Sequence, residues 1–167
     1  MSCRKRIQVP RATYYMSRRT EPPHLIFSEP RDYEEFGIFL ARILTRTETE
    51  LVGYCCMPDA VHLLLTVHFT PVGEVMQRVT QYCAQNIRKR TGAQANFIGN
   101  RPIVLTHPKS HLPILLRYIH YIPVVAGVAA TLSDYPYSSH PVYAGKTRCI
   151  AVPATVLQNL IRVPRLH

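Results

Sequence analysis

Two short segments hold the side chains of this chain with the most chemical reach. One is Met57-Pro58-Asp59-Ala60-Val61-His62-Leu63-Leu64-Leu65, and the other is Leu116-Arg117-Tyr118-Ile119-His120-Tyr121-Ile122-Pro123. A phenol such as Tyr118 can form a covalent intermediate, but with a pKa near ~10 it is a poor nucleophile at neutral pH. Such chemistry therefore depends on positioning and on charge stabilisation. Read by pattern alone, each residue also has a plainer role. A tyrosine on an amphipathic helix is usually a core residue with a wet hydroxyl, and one histidine in an apolar strand is more often a satisfied core group than a ligand.

Charge points to the partner. Lys plus Arg number 20 against 10 for Asp plus Glu, a formal net of +10. Between Glu74 and Asp134 there is no carboxylate, while Arg78, Arg88, Lys89, Arg90, Arg101, Lys109 and Arg117 fall there with His107, His111 and His120. A long window of cations without anions favours a polyanion.

The elements that must position these residues follow from periodicity. Residues 10–17 read as a first strand, and 20–30, with Pro22, Pro23 and Pro30, as a loop. Tyr33, Phe36, Leu40, Ile43 and Leu44 recur at helical spacing within 32–45. Residues 50–57 and 61–67 form a hairpin about Pro58-Asp59, the second strand apolar on both faces and so central. Residues 71–90 are helical: Met76, Val79, Cys83 and Ile87 face the core, and Arg78, Gln81, Gln85, Arg88 and Lys89 face away. A short strand over 103–106 and a helix over 111–122, ended by Pro123, complete the pattern. This order predicts an α+β ferredoxin-like sandwich, an antiparallel sheet with helices on one face, plus the added tyrosine-bearing helix. Residues 1–145 read as one domain and 146–167 as a basic tail.

Five cysteines without a CxxC pair argue against a disulfide scaffold or a structural zinc site. No apolar run is long enough to span a bilayer, and the basic start lacks the apolar stretch of a signal peptide, so a cytoplasmic location is expected.

The two segments resemble the active-site motifs of the single-tyrosine HUH transposases, which cut and rejoin single-stranded DNA through a phosphotyrosine. Within that group the chain is most similar to the REP-associated tyrosine transposases. The likeness runs from about Gln8 to Gly145. It rests on 10–19, on Met57-Pro58 with Val61-His62-Leu63-Leu64, and on Phe97-Ile98-Gly99-Asn100-Arg101. Further on it rests on Arg117-Tyr118-Ile119-His120 and on Asp134-Tyr135-Pro136 with Ser138-Ser139. The resemblance implies Tyr118 as nucleophile and His62 as a metal ligand. It implies Mg2+ or Mn2+ as the cofactor, polarising the scissile phosphate. It implies hairpin or single-stranded DNA as the partner. Phosphate contacts are expected from Arg4, Lys5, Arg6, Arg11, Arg18, Arg19, Arg78, Arg88, Lys89, Arg101 and Arg117. Tyr14, Tyr15, Tyr135 and Tyr137 are available to stack on unpaired bases. A homodimer is compatible with the sequence but not specified by it.

The chain departs from the family at two positions. A His-x-His pair shares one metal because residues i and i+2 of a strand face the same side. Here Ala60 stands at the first of these positions and offers no donor, and Asp59 should point to the opposite face. His68 is on the right face but ~20 Å along the strand. Ile122, one turn after Tyr118, stands where the family carries a polar ligand. The expectation is a DNA-binding relative with cleavage lost or weakened. The alternatives are an active single-tyrosine transposase with an unusual metal site, or a basic module for RNA or protein.

Overall fold

The computed structural model describes residues 9, 11–99, 102–105 and 108–145, with backbone alone at 108 and 109. Arg4, Lys5, Arg6, Arg101, His107 and the tail 146–167 lie outside the described residues, as does the Lys109 side chain.

The sheet is antiparallel in the order β2-β3-β1-β4, with β5 also on β1: β1 Ala12–Thr20, β2 Glu50–Met57, β3 Ala60–Val67, β4 Phe97–Ile98 and β5 Ile103–Val104. β3, apolar on both faces, sits between β2 and β1 as expected. Its alternate side chains feed two cores. Val61, Leu63, Leu65 and Val67 pack with Met16 and Tyr54 under the helices α1 (Pro30–Arg46) and α2 (Val72–Thr91). Ala60 and Leu64 pack with Tyr15, Cys55 and Met57 under Leu116 and Ile119 of α3 (Pro108–Val125). The two-helix face and the added tyrosine helix thus lie on opposite sides of the sheet, giving the expected α+β architecture. A short α4 (His140–Tyr143) follows. Cys55 and Cys56 are buried, one in each core, and Cys83 is buried under α2.

Three elements differ from their predicted bounds. β1 continues to Thr20, so Arg18 and Arg19 lie within it and not after it. The strand expected over 103–106 is only the two-residue β5, and an unexpected short β4 precedes it, both pairing with β1. α3 runs through Pro123. A proline forfeits its own N–H but keeps its carbonyl, and Val128 N donates to Pro123 O at 2.8 Å. The turn closes only at Gly127, whose φ of 71° is the left-handed conformation that glycine adopts at low cost.

A bulge in β2 sets the seat of α3. Leu51 pairs with Leu65 and Gly53 with Leu64, leaving Val52 as the extra residue. Gly53 then meets α3 directly: a Cβ there would stand 2.5 Å from Leu116 Cδ2. Gly53→Ala should cost about 1 kcal/mol by forcing the buried Leu116 side chain to repack. Thermal unfolding measures this, and an unchanged midpoint would refute the close seating.

Candidate functional site

Strand alternation places Tyr15, Ser17 and Arg19 of β1 and Ala60, His62 and Leu64 of β3 on the face that α3 covers. Ser17 is directly opposite His62 in the register, so Tyr15 is its diagonal neighbour. The Tyr15 hydroxyl and His62 Nδ1 are hydrogen-bonded at 2.9 Å. The Tyr118 ring meets Tyr15 edge-on, with centroids 6.3 Å apart. The fold therefore brings Tyr118 and His62 together, with Tyr15 between them. Tyr118 is 56% exposed, whereas Tyr15 and His62 are buried.

The electrostatics follow from burial. Burial raises the Tyr15 phenol to about 12, helped by the neighbouring Tyr118. Burial lowers His62 to about 4, with Arg19 pushing in the same direction and Asp59 opposing. Both groups are neutral at pH 7. His62 Nε2 is buried and has no hydrogen-bond partner among the described residues. If Nδ1–H donates to Tyr15, that Nε2 presents a lone pair, the arrangement of a metal-binding imidazole oriented through its other nitrogen.

Beside Tyr118 the described residues offer one imidazole, His62, and one carboxylate, Asp59, that is already ion-paired to Arg19. Ala60 is fully buried and carries no donor. Ile122 is packed against the apolar cluster under α3. His68 is held at the far end of β3 by Glu50, at 3.2 Å. Alternation fails to place Asp59, because it belongs to the turn: its carboxylate meets Arg19 Nε at 3.3 Å on the His62 side of the sheet. No three His, Cys, Asp or Glu side chains among the described residues are grouped to hold an ion. A hard divalent cation that prefers several oxygen ligands does not fit this donor set.

His120 has a different job from its neighbour Tyr118. It is buried, and its Nε2 bonds Ser139 Oγ at 2.8 Å, while Ser139 Oγ accepts from Tyr54 N at 3.0 Å. This chain of bonds pins α3 to β2 and α4. Burial, with His140 alongside, pushes His120 down to about 3. The sequence contains both residues, but their pairing across 19 positions is a tertiary fact.

The expected DNA contacts are divided between surfaces. Arg19 and Arg117 lie on the α3 side, and the Arg117 guanidinium sits 5.6 Å from the Tyr121 ring centre. Arg78, Arg88 and Lys89 are exposed on α2, across the sheet from Tyr118, with Arg78 paired to Glu74 at 2.8 Å. Arg11 is exposed at the start of β1. Arg18 points to the α2 side, beside Thr80 and Gln81. Arg90 is structural: it holds Asp32 at 3.1 Å and the Leu25 carbonyl. The tyrosines expected to stack on bases are instead core rings. Tyr14, Tyr15 and Tyr135 are buried, and Tyr137 stacks on Tyr33 with centroids 3.6 Å apart. Sequence pattern alone missed Tyr15 as the partner of His62; its signal was the shared face of two strands whose pairing was unknown.

No helix among the described residues is long and apolar enough to cross a membrane. No curated protein matches the chain. A solved structure of a REP-associated tyrosine transposase bound to a REP hairpin shares the fold, with TM-score 0.66, 15% identity and coverage of 92% of both chains. A Deinococcus radiodurans R1 chain assigned as a transposase is 18% identical over 68% of this chain and 94% of its own, with a TM-score of 0.44, too low to define a shared fold. The family model described as "Transposase IS200 like" matches residues 18–121. That span takes in His62, Tyr118 and more than half of the sequence, and the chain belongs to the IS200-like transposase family.

Proposed function

We propose that this protein binds hairpin or single-stranded DNA as a domesticated or decayed transposase, with strand cleavage weakened or lost. The observation that carries this reading is the donor set beside Tyr118: apolar Ala60 and Ile122 stand where the resemblance implies ligands, leaving His62 with only the Asp59 carboxylate, itself paired to Arg19, nearby. DNA as partner is supported by the carboxylate-free basic window and by the hairpin bound to the structural neighbour. Binding needs no metal, because the cations of Arg11, Arg19, Arg88, Lys89 and Arg117 act directly on phosphates.

The alternative is an active single-tyrosine transposase. It is favoured by one observation, the exposed Tyr118 held over the Tyr15–His62 pair. In that reading Tyr118 Oη attacks a phosphodiester phosphorus, loses its proton, and expels a 3′ hydroxyl while the 5′ phosphate stays on the tyrosine.

Fluorescence anisotropy with labelled DNA hairpins carrying a single-stranded flank tests the first reading. The affinity should be the same in EDTA and in manganese. It should fall about 10³-fold or more between 50 and 200 mM salt if six or more phosphates are contacted. An RNA hairpin of equal charge competing equally well would overturn DNA as the partner. A covalent band from the native chain on a denaturing gel would establish the alternative.

A further inference from the structure

The Tyr118 face of the sheet is short of ligands for a divalent ion, yet it is not short of positive charge. Arg19 of β1 pairs directly with Ala60 of β3. Residues opposite each other in such a pair have Cβ atoms about 5 Å apart. Arg19 therefore stands beside the position where the resemblance implies the first metal ligand. It is also a diagonal neighbour of His62, on the other diagonal from Tyr15. Its charge reaches that imidazole and helps to keep it unprotonated.

The guanidinium is aimed without being used up. Asp59 meets it at Nε, 3.3 Å away, and the Arg19 side chain is 58% exposed. Among the described residues neither terminal nitrogen donates a hydrogen bond. The ion pair is not what fastens the Pro58-Asp59 turn, because backbone bonds already do so. Thr20 N donates to Asp59 O at 2.9 Å, and Ile26 N and Phe27 N donate to Pro58 O at 2.7 and 3.0 Å. The carboxylate is thus available to orient the guanidinium, and an exposed pair of this kind is weak enough for a phosphate to share the cation. The strand neighbours of Arg19 are Ala60 and Ile98, so Asp59 is the one anion that its immediate surroundings supply.

A metal ion at such a site does two things to a phosphodiester: it holds the group in place and it polarises it for attack. A guanidinium can do the first. It presents a planar fork of N–H donors to two phosphate oxygens and needs no ligand set of its own. We propose that Arg19 has taken over the holding role of the metal ion in this chain, gripping one DNA phosphate on the Tyr118 face through its terminal nitrogens while Asp59 orients it. This inference rests on the DNA-binding reading above. It makes the face a metal-free phosphate site, which binds without the polarisation that cutting requires.

The test uses the full-length chain and hairpins with a single-stranded flank. One phosphodiester at a time is replaced by an uncharged methylphosphonate, and anisotropy in EDTA compares the native chain with Arg19→Gln. On unmodified DNA Arg19→Gln should bind about tenfold more weakly. One methylphosphonate position should weaken the native chain by a similar factor and leave Arg19→Gln unchanged, because the pair that it breaks is already gone. Arg19→Lys keeps the charge and loses the fork, so it should recover only part of the loss at that position. Arg19→Gln binding unmodified DNA as tightly as the native chain would overturn the proposal. So would methylphosphonates that weaken both proteins alike at every position, or full recovery by lysine. Each of these results leaves DNA binding itself intact. Failure of the native chain to bind any of the unmodified hairpins would overturn the inference and the reading beneath it together.

Discussion

Given manganese and a hairpin oligonucleotide, the Ala60→His, Ile122→Asn double variant should form a covalent protein–DNA adduct about 100-fold faster than the native chain. The magnitude follows from about 3 kcal/mol of charge stabilisation by a properly held cation at the scissile phosphate, at 1.36 kcal/mol per factor of ten. Position 60 faces the same side as His62, so an imidazole there restores an i, i+2 pair. Position 122 lies one turn after Tyr118, so an amide there comes from the nucleophile's own helix. The substitution at 60 is not free, because Ala60 is fully buried between Met57 and Arg19 in the register and an imidazole overpacks it. The variant should melt several degrees below the native chain. Adding Tyr118→Phe to the double variant should erase the adduct and leave hairpin affinity unchanged, because only the attacking oxygen is lost. A native chain that reacts as fast as the variant would refute the donor-set argument. An adduct that survives Tyr118→Phe would remove Tyr118 as nucleophile.

Acid should unfold this protein through two buried imidazoles. His62 is lowered to about 4 and His120 to about 3, against an ordinary 6.5, in both cases chiefly by burial. Below pH 6.5 the unfolded chain binds protons at these sites that the folded chain refuses. Stability is therefore complete above about pH 6.5 and is lost as pH falls toward 4 and then 3. Each group contributes at most about 1.4 kcal/mol per pH unit in its window. The melting temperature should drop steadily between pH 6.5 and 4.5, before most carboxylates begin to titrate. His120→Asn should roughly halve that slope, because one of the two groups is gone. At pH 7.5 the same variant should lose about 2–4 kcal/mol, from the cavity it opens and from the weakened bond to Ser139. A slope identical in the variant and the native chain would show that His120 is not a buried neutral group.

Much of the scaffold was legible because its signals are local. The hairpin at Pro58-Asp59, the doubly apolar β3 and the amphipathic α1 and α2 all follow from periods of 2 and 3.6 residues read within one segment. The bounds that were misread involve backbone partners from elsewhere. β1 extends through Arg19 because Ala60 and Ile98 flank that residue on either side, and no local pattern reports such pairing. α3 passes Pro123 because later N–H groups find carbonyls to accept them.

By itself the sequence determined which chemistry was on offer: Tyr118 and His62 in family-like segments, alanine and isoleucine at the two positions where the resemblance implies ligands, and a basic window without carboxylates. Residue identity is enough for that, because alanine and isoleucine coordinate nothing in any fold. Only the tertiary structure decided what surrounds those groups. The β1–β3 register sets Tyr15 against His62 across 47 positions, and the α3–β2 packing turns His120 into a pin while leaving Tyr118 in the open. Burial, hydrogen-bond partners and shifted pKa values depend on which distant segments share a face, and that is fixed by strand register and helix seating.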